Sequence, residues 1–109
     1  LNMKNNENTE FNCVLKDVLD IVGGKWSIPI IFTLLKGTHR FMELHRSIPN
    51  INTRMLVKEL KNLENSHVVE RKAFPTIPPT VEYSLTPKGK ALQTAISELY
   101  RWGELYNEV

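Results

Sequence analysis

FMELHRSIPNINTRMLVKELKNLEN, residues 41–65, decides the fold. Phe41, Leu44 and Ile48 are spaced three and four apart, the repeat of one face of a helix, and Pro49 forbids that helix from continuing. After the short link Pro49-Asn50-Ile51, Asn52 stands where an N-cap is needed for a second helix running to about residue 65. Two helices so closely joined are the outline of a helix-turn-helix. With Leu56 taken as zero and steps of about 100°, Leu60 falls near 40° and Leu63 near −20°, which marks a stripe to be buried. Arg54, Lys58 and Lys61 fall near 160°, 200° and 140° on the same wheel, so three cations share the opposite face.

Downstream, residues 68–74 and 80–85 are rich in β-branched and aromatic side chains, and Pro75-Thr76-Ile77-Pro78-Pro79 between them can only be a loop, so the pair reads as a hairpin with a stiff tip. Thr86-Pro87 then supplies an N-cap followed by proline at the first helical position, opening a last helix that runs to the C-terminus. Upstream, Val14, Leu15, Val18, Leu19, Ile21 and Val22 recur at helical spacing and Gly23-Gly24 stops them. A second helix is expected from Lys25 to Lys36, with Pro29 near its first turn and Gly37 as its end. The order is four helices, two strands and a helix: an α+β, mostly helical chain in which a hairpin flanks a helix-turn-helix, the winged arrangement. Residues 1–12 are expected to be a flexible polar lead and residues 13–109 a single domain.

The chain has 109 residues, and 14 Lys+Arg against 12 Asp+Glu give a net charge of only +2, which excludes a polybasic tail. At 41% hydrophobic and 24% charged it reads as globular rather than disordered. The uncharged run 26–35 is about half of what a membrane-spanning helix requires. The polar, acidic N-terminal stretch lacks the basic start of a secretory signal, so a cytoplasmic protein without a membrane partner is expected. A lone Cys13 allows no intramolecular disulfide.

The small net charge is unevenly spread. From Lys36 to Lys72 there are eight basic residues against four acidic ones, a net of +4, and the remainder carries six against eight, a net of −2. The excess lies on the unit that would meet a phosphate backbone. Arg54 is the informative cation, because a positive charge in the first turn of a helix opposes the macrodipole, whereas a guanidinium fork there suits guanine edges or phosphate. Taken alone, Arg54, Lys58 and Lys61 read equally well as a solvated helix face. Arg71 and Lys72 on the first hairpin strand could reach flanking DNA or simply discourage strand-edge aggregation.

The runs Leu19-Asp20-Ile21-Val22-Gly23-Gly24-Lys25-Trp26-Ser27, Gly37-Thr38-His39-Arg40-Phe41-Met42-Glu43-Leu44, Leu60-Lys61-Asn62-Leu63-Glu64 and Pro79-Thr80-Val81-Glu82-Tyr83-Ser84-Leu85-Thr86-Pro87-Lys88-Gly89, with the closing Tyr100-Arg101-Trp102-Gly103, strongly resemble the HxlR-type transcriptional regulators. The resemblance covers nearly everything from Cys13 to Tyr106. It implies a small bacterial winged helix-turn-helix regulator with N- and C-terminal dimerisation helices, binding double-stranded operator DNA as a homodimer and repressing or activating nearby genes. By the same resemblance Asn52, Thr53, Arg54 and Lys58 are the groove-reading start of the recognition helix, with Lys61 beside them on the cationic face and Arg71 and Lys72 as wing contacts. Trp26, Phe41 and Tyr83 are left as core aromatics.

In the last helix Leu92, Ala95, Leu99, Trp102 and Tyr106 form a heptad-like seam suited to a dimer interface; the alternative is a wide stripe packed on the protein's own first helix. A two-fold dimer would require a pseudo-palindromic operator. Cys13 is expected to open the first helix. The resemblance implies that it could sense oxidants or a small reactive effector, while its plain alternative is a small apolar side chain against the helix stripe. His39, His45 and His67 share no metal-ligand spacing with Cys13, and no nucleophilic or paired-carboxylate constellation can be nominated, so neither enzyme, metal nor cofactor is expected. The competing reading is a winged-helix module that binds protein or a small ligand without DNA.

Overall fold

In the computed structural model, which describes residues 5–107, the chain folds as α1 (Asn5–Val22), α2 (Ser27–Leu35), β1 (His39–Arg40), α3 (Phe41–Ser47), α4 (Thr53–Asn65), β2 (Val69–Phe74), β3 (Thr80–Leu85), α5 (Pro87–Lys90) and α6 (Gln93–Tyr106). The sheet is antiparallel in the order β1-β3-β2, with Val69 opposite Leu85 and Phe74 opposite Thr80 across the hairpin. The arrangement is a winged helix-turn-helix.

The core is built around α2. Ile30, Ile31 and Leu34 are buried with Leu44 of α3, Leu56, Leu60 and Leu63 of α4, Val68 and Val69 at the root of the wing, Leu85 of β3 and Ile96 of α6. Burying a leucine of this kind contributes about 1.5–3 kcal/mol, so the three on α4 dominate the placement of that helix. Trp26, Phe41 and Tyr83 are half-buried and pack on the same cluster, as core aromatics should. Pro29 lies in the first turn of α2, where its missing amide costs no intrahelical bond, and Thr33 Oγ1 donates to its carbonyl at 2.9 Å.

Three boundaries differ from the sequence reading. First, α1 begins at Asn5, so the stretch expected to be a flexible lead is helical from residue 5 to residue 12, and its residues 1–4 lie outside the described residues. Apart from Phe11, which continues the spacing of Val14, Leu15 and Val18, those residues are polar and give periodicity nothing to detect. Second, His39 and Arg40 form a strand paired with Tyr83 and Glu82 of β3; two residues are too few to show an alternation. Third, the last helix is broken: α5 ends at Lys90, and α6 starts afresh after Leu92.

The break follows from how α5 is tied down. Thr86 caps α5 as expected, its Oγ1 accepting from the Gly89 amide at 3.1 Å and donating to the His67 carbonyl at 2.6 Å. Lys88 Nζ donates to the Ser66 carbonyl at 2.8 Å. These bonds hold α5 against the loop that joins α4 to the wing. Gly89 is buried there, and a Cβ at its position would collide with the backbone carbonyl of Val68. A backbone atom cannot rotate away, so Gly89→Ala should cost about 1–3 kcal/mol, read as a lower urea midpoint with an unchanged slope; parental stability would show that this contact does not constrain the fold.

Candidate nucleic-acid interface

The turn between α3 and α4 sets the aim of the cationic face. Ile48 and Ile51, on either side of Pro49-Asn50, are both buried, so the linker is pinned to the core at each end. Asn50 takes the left-handed conformation at φ 71°, which asparagine tolerates better than branched residues. Asn52 is the N-cap of α4, its Oδ1 accepting from the Met55 amide at 2.8 Å. On the other side of the turn the Arg40 amide donates to Glu43 Oε1 at 2.7 Å, which fixes the start of α3.

With its leucines inward, α4 carries Arg54, Lys58 and Lys61 exposed on its outer side, and Asn52 and Thr53 are exposed at its first turn. Glu59 is half-buried and turned the other way: Ser27 Oγ donates to its Oε2 at 3.4 Å, linking α4 to the start of α2. Of the two acids on this helix, Glu59 is thus directed into the body, while Glu64 is exposed three residues beyond Lys61, at the far end from Arg54. Among the described residues no ion pair engages Arg54, Lys58 or Lys61, and the pair that forms is Arg101 with Glu98 on α6, at 3.7 Å.

The two wing candidates do not share a surface. Side chains alternate along β2, so Arg71 lies on the same face as Val69 and opposite Tyr83, while Lys72 lies on the other face opposite Glu82. Arg40, in β1, is also opposite Glu82, which places Glu82 between Arg40 and Lys72 in one row. Sequence reasoning counted Arg40 only as charge, because nothing in the chain signals the two-residue strand that brings it alongside the wing. The tip is uncharged, with Ile77 fully exposed and Thr76 Oγ1 donating to the Pro78 carbonyl at 2.7 Å.

Away from this side, α1 and α6 expose large apolar residues: Phe11, Val14, Leu15, Val18 and Leu19 on the first, and Leu99, Tyr100, Trp102, Leu105 and Tyr106 on the second. The Trp102 and Tyr106 rings are 5.7 Å apart along α6. The two terminal helices do not cover each other's stripes, which was the alternative for the last helix, since α6 packs on α2 and leaves these residues in solvent. Of the five seam residues, Ala95, Leu99, Trp102 and Tyr106 are exposed, whereas Leu92 packs against the protein's own core. Cys13 is exposed and sits in the middle of α1 rather than at its start. It therefore lies outside the first turn of the helix. Among the described residues no single helix is long and apolar enough to cross a membrane.

Comparison with known proteins agrees with this geometry. Residues 21–109 match the model of the HxlR-like helix-turn-helix family. The chain is 40% identical over 99 residues to YkvN of Bacillus subtilis (strain 168), described as an uncharacterized HTH-type transcriptional regulator, covering 91% of this chain and 84% of YkvN. Among solved structures, the redox regulator HypR in its oxidized form superposes with a TM-score of 0.82 at 37% identity, covering 89% of this chain and all of HypR. The reduced form of the transcriptional regulator YodB from B. subtilis gives a TM-score of 0.75 at 34% identity, covering 98% of this chain and 97% of YodB.

Removing the cap of α4 tests how the interface is held. Asn52→Ala leaves the Met55 amide without its acceptor and should lower stability by about 1 kcal/mol in a denaturant titration; an unchanged midpoint would mean that the buried isoleucines alone fix the turn.

Proposed function

Because the chain belongs to the HxlR-like helix-turn-helix family of DNA-binding transcriptional regulators, we propose that it binds operator DNA as a homodimer, with α4 as its recognition helix. The observation that carries this reading is the unpaired cationic face of α4, held outward by the buried Leu56, Leu60 and Leu63. In this reading the Arg54 guanidinium contacts base edges in the major groove, where its fork can bond a guanine bidentately, and Asn52 and Thr53 contact the adjoining edges or phosphates. Lys58 and Lys61 neutralise phosphate. Lys72 and Arg40 form the flanking contact, and Arg71, on the other sheet face, contributes through its charge alone.

Dimerisation is supported by the apolar residues that α1 and α6 leave in solvent. An 18-residue helix such as α1 is marginal in water unless its apolar face is covered, and apolar surface of this extent on a small domain marks an association site. We place Ala95, Leu99, Trp102 and Tyr106 in that interface, together with the exposed residues of α1. Two-fold symmetry then sets the recognition helices about one DNA turn apart on a pseudo-palindromic site.

A second reading concerns Cys13. Its exposed thiol lies on the helix that we assign to the dimer interface, and a relative of similar structure is a redox regulator. Oxidation or alkylation of Cys13 would then alter the angle between the two reading heads. An oxidant should change operator affinity in the parent and leave Cys13→Ser unaffected; the same response in both eliminates the sensor.

The DNA reading is tested by gel shift on the region upstream of the chain's own gene, titrated with salt. Affinity should fall steeply as salt rises. Arg54→Ala should lose about 1–3 kcal/mol of discrimination between operator and scrambled DNA, whereas Lys72→Ala should weaken both alike and reduce the salt slope by about one unit. No salt-dependent binding would defeat the reading, and identical effects of the two substitutions would defeat the division of roles.

A further inference from the structure

Between α2 and α6 lies an open cleft of about 710 Å³, walled by Ile28, Pro29, Phe32 and Leu35 on one side and by Ile96 and Tyr100 on the other. A second, polar recess of about 590 Å³ shares Leu35, Lys36 and Gln93 with it and reaches Ser84, Thr86 and Lys90 at the base of the wing. The cleft by itself has the size of a small-molecule site, an apolar chamber to which the recess adds a few polar groups at one end.

The polar end is cationic. Lys36 Nζ sits 5.0 Å from the centre of the Phe32 ring, at the border of the two compartments, and Lys90 lines the recess beyond it. Among the described residues neither is in an ion pair. Glu70 is the acid on the same wall, so the two lysines leave a local excess of one positive charge. Phe32 and Tyr100 offer ring faces and edges in the apolar chamber.

The cleft adjoins the surface assigned to self-association and shares Leu99 with it, but the two are centred on different faces of α6. Counting about 100° per residue along α6 from Leu92, Gln93, Ile96, Ser97 and Tyr100 centre near 90°, while Ala95, Leu99, Trp102 and Tyr106 centre near −50°. Leu99 lies on the border. α6 therefore stands between the cleft and the partner copy, with a different face toward each.

We propose that this cleft binds a small aromatic monocarboxylate, its ring in the chamber between Phe32 and Tyr100 and its carboxylate between Lys36 and Lys90. Charge complementarity selects one negative charge, and the apolar chamber selects a flat or compact body. Filling the cleft shifts α6 on α2 and so changes the separation of the two recognition helices; this coupling rests on the dimeric reading above, whereas the binding step does not.

The test uses the full chain without DNA, titrated calorimetrically with 2-naphthoate and with its neutral counterpart 2-naphthalenemethanol. One naphthoate should bind per chain with Kd below about 1 mM, and the alcohol should bind at least about fivefold more weakly, as a lost charge-assisted contact requires. The double variant Lys36→Gln, Lys90→Gln should bring the two ligands to within about twofold of each other. Ser97→Trp, which fills the chamber, should abolish binding of both while keeping the parental far-UV spectrum; if that variant does not fold, the lysine pair decides. Absence of saturable naphthoate binding, equal affinity for acid and alcohol in the parent, or binding that requires the dimer to dissociate would each overturn the proposal, the last because a second copy would then occupy the cleft. Operator binding measured without ligand reports on the DNA reading separately, so the two can fail independently.

Discussion

The burial of Leu56, Leu60 and Leu63 against Ile30, Ile31, Leu34 and Leu44 fixes the rotation of α4 about its own axis, and most of what the molecule can do follows from that rotation. A helix turned by one residue would move each side chain by about 100°, taking a leucine out of the core and Arg54 off the outer face. The buried Ile48 and Ile51 and the Asn52 cap hold the start of the helix with the same rigour, so the end that would enter a groove is the better restrained one. Glu59 completes the arrangement by bonding inward to Ser27, which leaves Arg54 and Lys58 at the groove-entering end without an acid of α4 beside them, Glu64 lying further along next to Lys61.

The same chain separates two kinds of surface. The segment from Lys36 to Lys72 carries a net of +4 and the remainder a net of −2, while the exposed apolar residues gather on α1 and α6. Charge thus sits where a phosphate backbone would come, and hydrocarbon sits where a second copy would. The shape agrees: a radius of gyration of 16.3 Å and extents of 59 × 34 × 23 Å exceed the roughly 13 Å radius of a compact chain of this length, as expected when a terminal helix projects beyond the packed body. α6 links the two regions, because one of its faces rests on α2, on which α3 and α4 also pack, and another faces outward.

The parts legible in the sequence are those whose signals are local. The α3 and α4 helices, the hairpin, the Asn52 and Thr86 caps and the leucine stripe all rest on spacing, on proline or on a capping side chain, and each stands in the structure where it was read. What could not be read depends on contacts distant in sequence. Nothing in His39-Arg40 marks a strand until Tyr83 and Glu82 lie beside it. The spacing from Leu92 to Tyr106 is continuous, so the break before α6 is visible only once Gly89 is seen against the Val68 carbonyl. Leu92, periodic with the seam, is taken by the core for the same reason. Cys13 reads as a helix start because the residues before it, Phe11 aside, are polar and give no apolar repeat, yet the helix extends through them.

The most direct measurement of the central claim is amide chemical-shift mapping of the isotopically labelled protein against a duplex carrying its operator. Large shifts should concentrate from Asn52 to Lys61 and at Arg40 and Lys72, with the outward residues of α1 and α6 unmoved at constant dimer fraction. Shifts confined to α1 and α6, with α4 unperturbed at saturating DNA, would contradict the assignment of α4 as the reading helix.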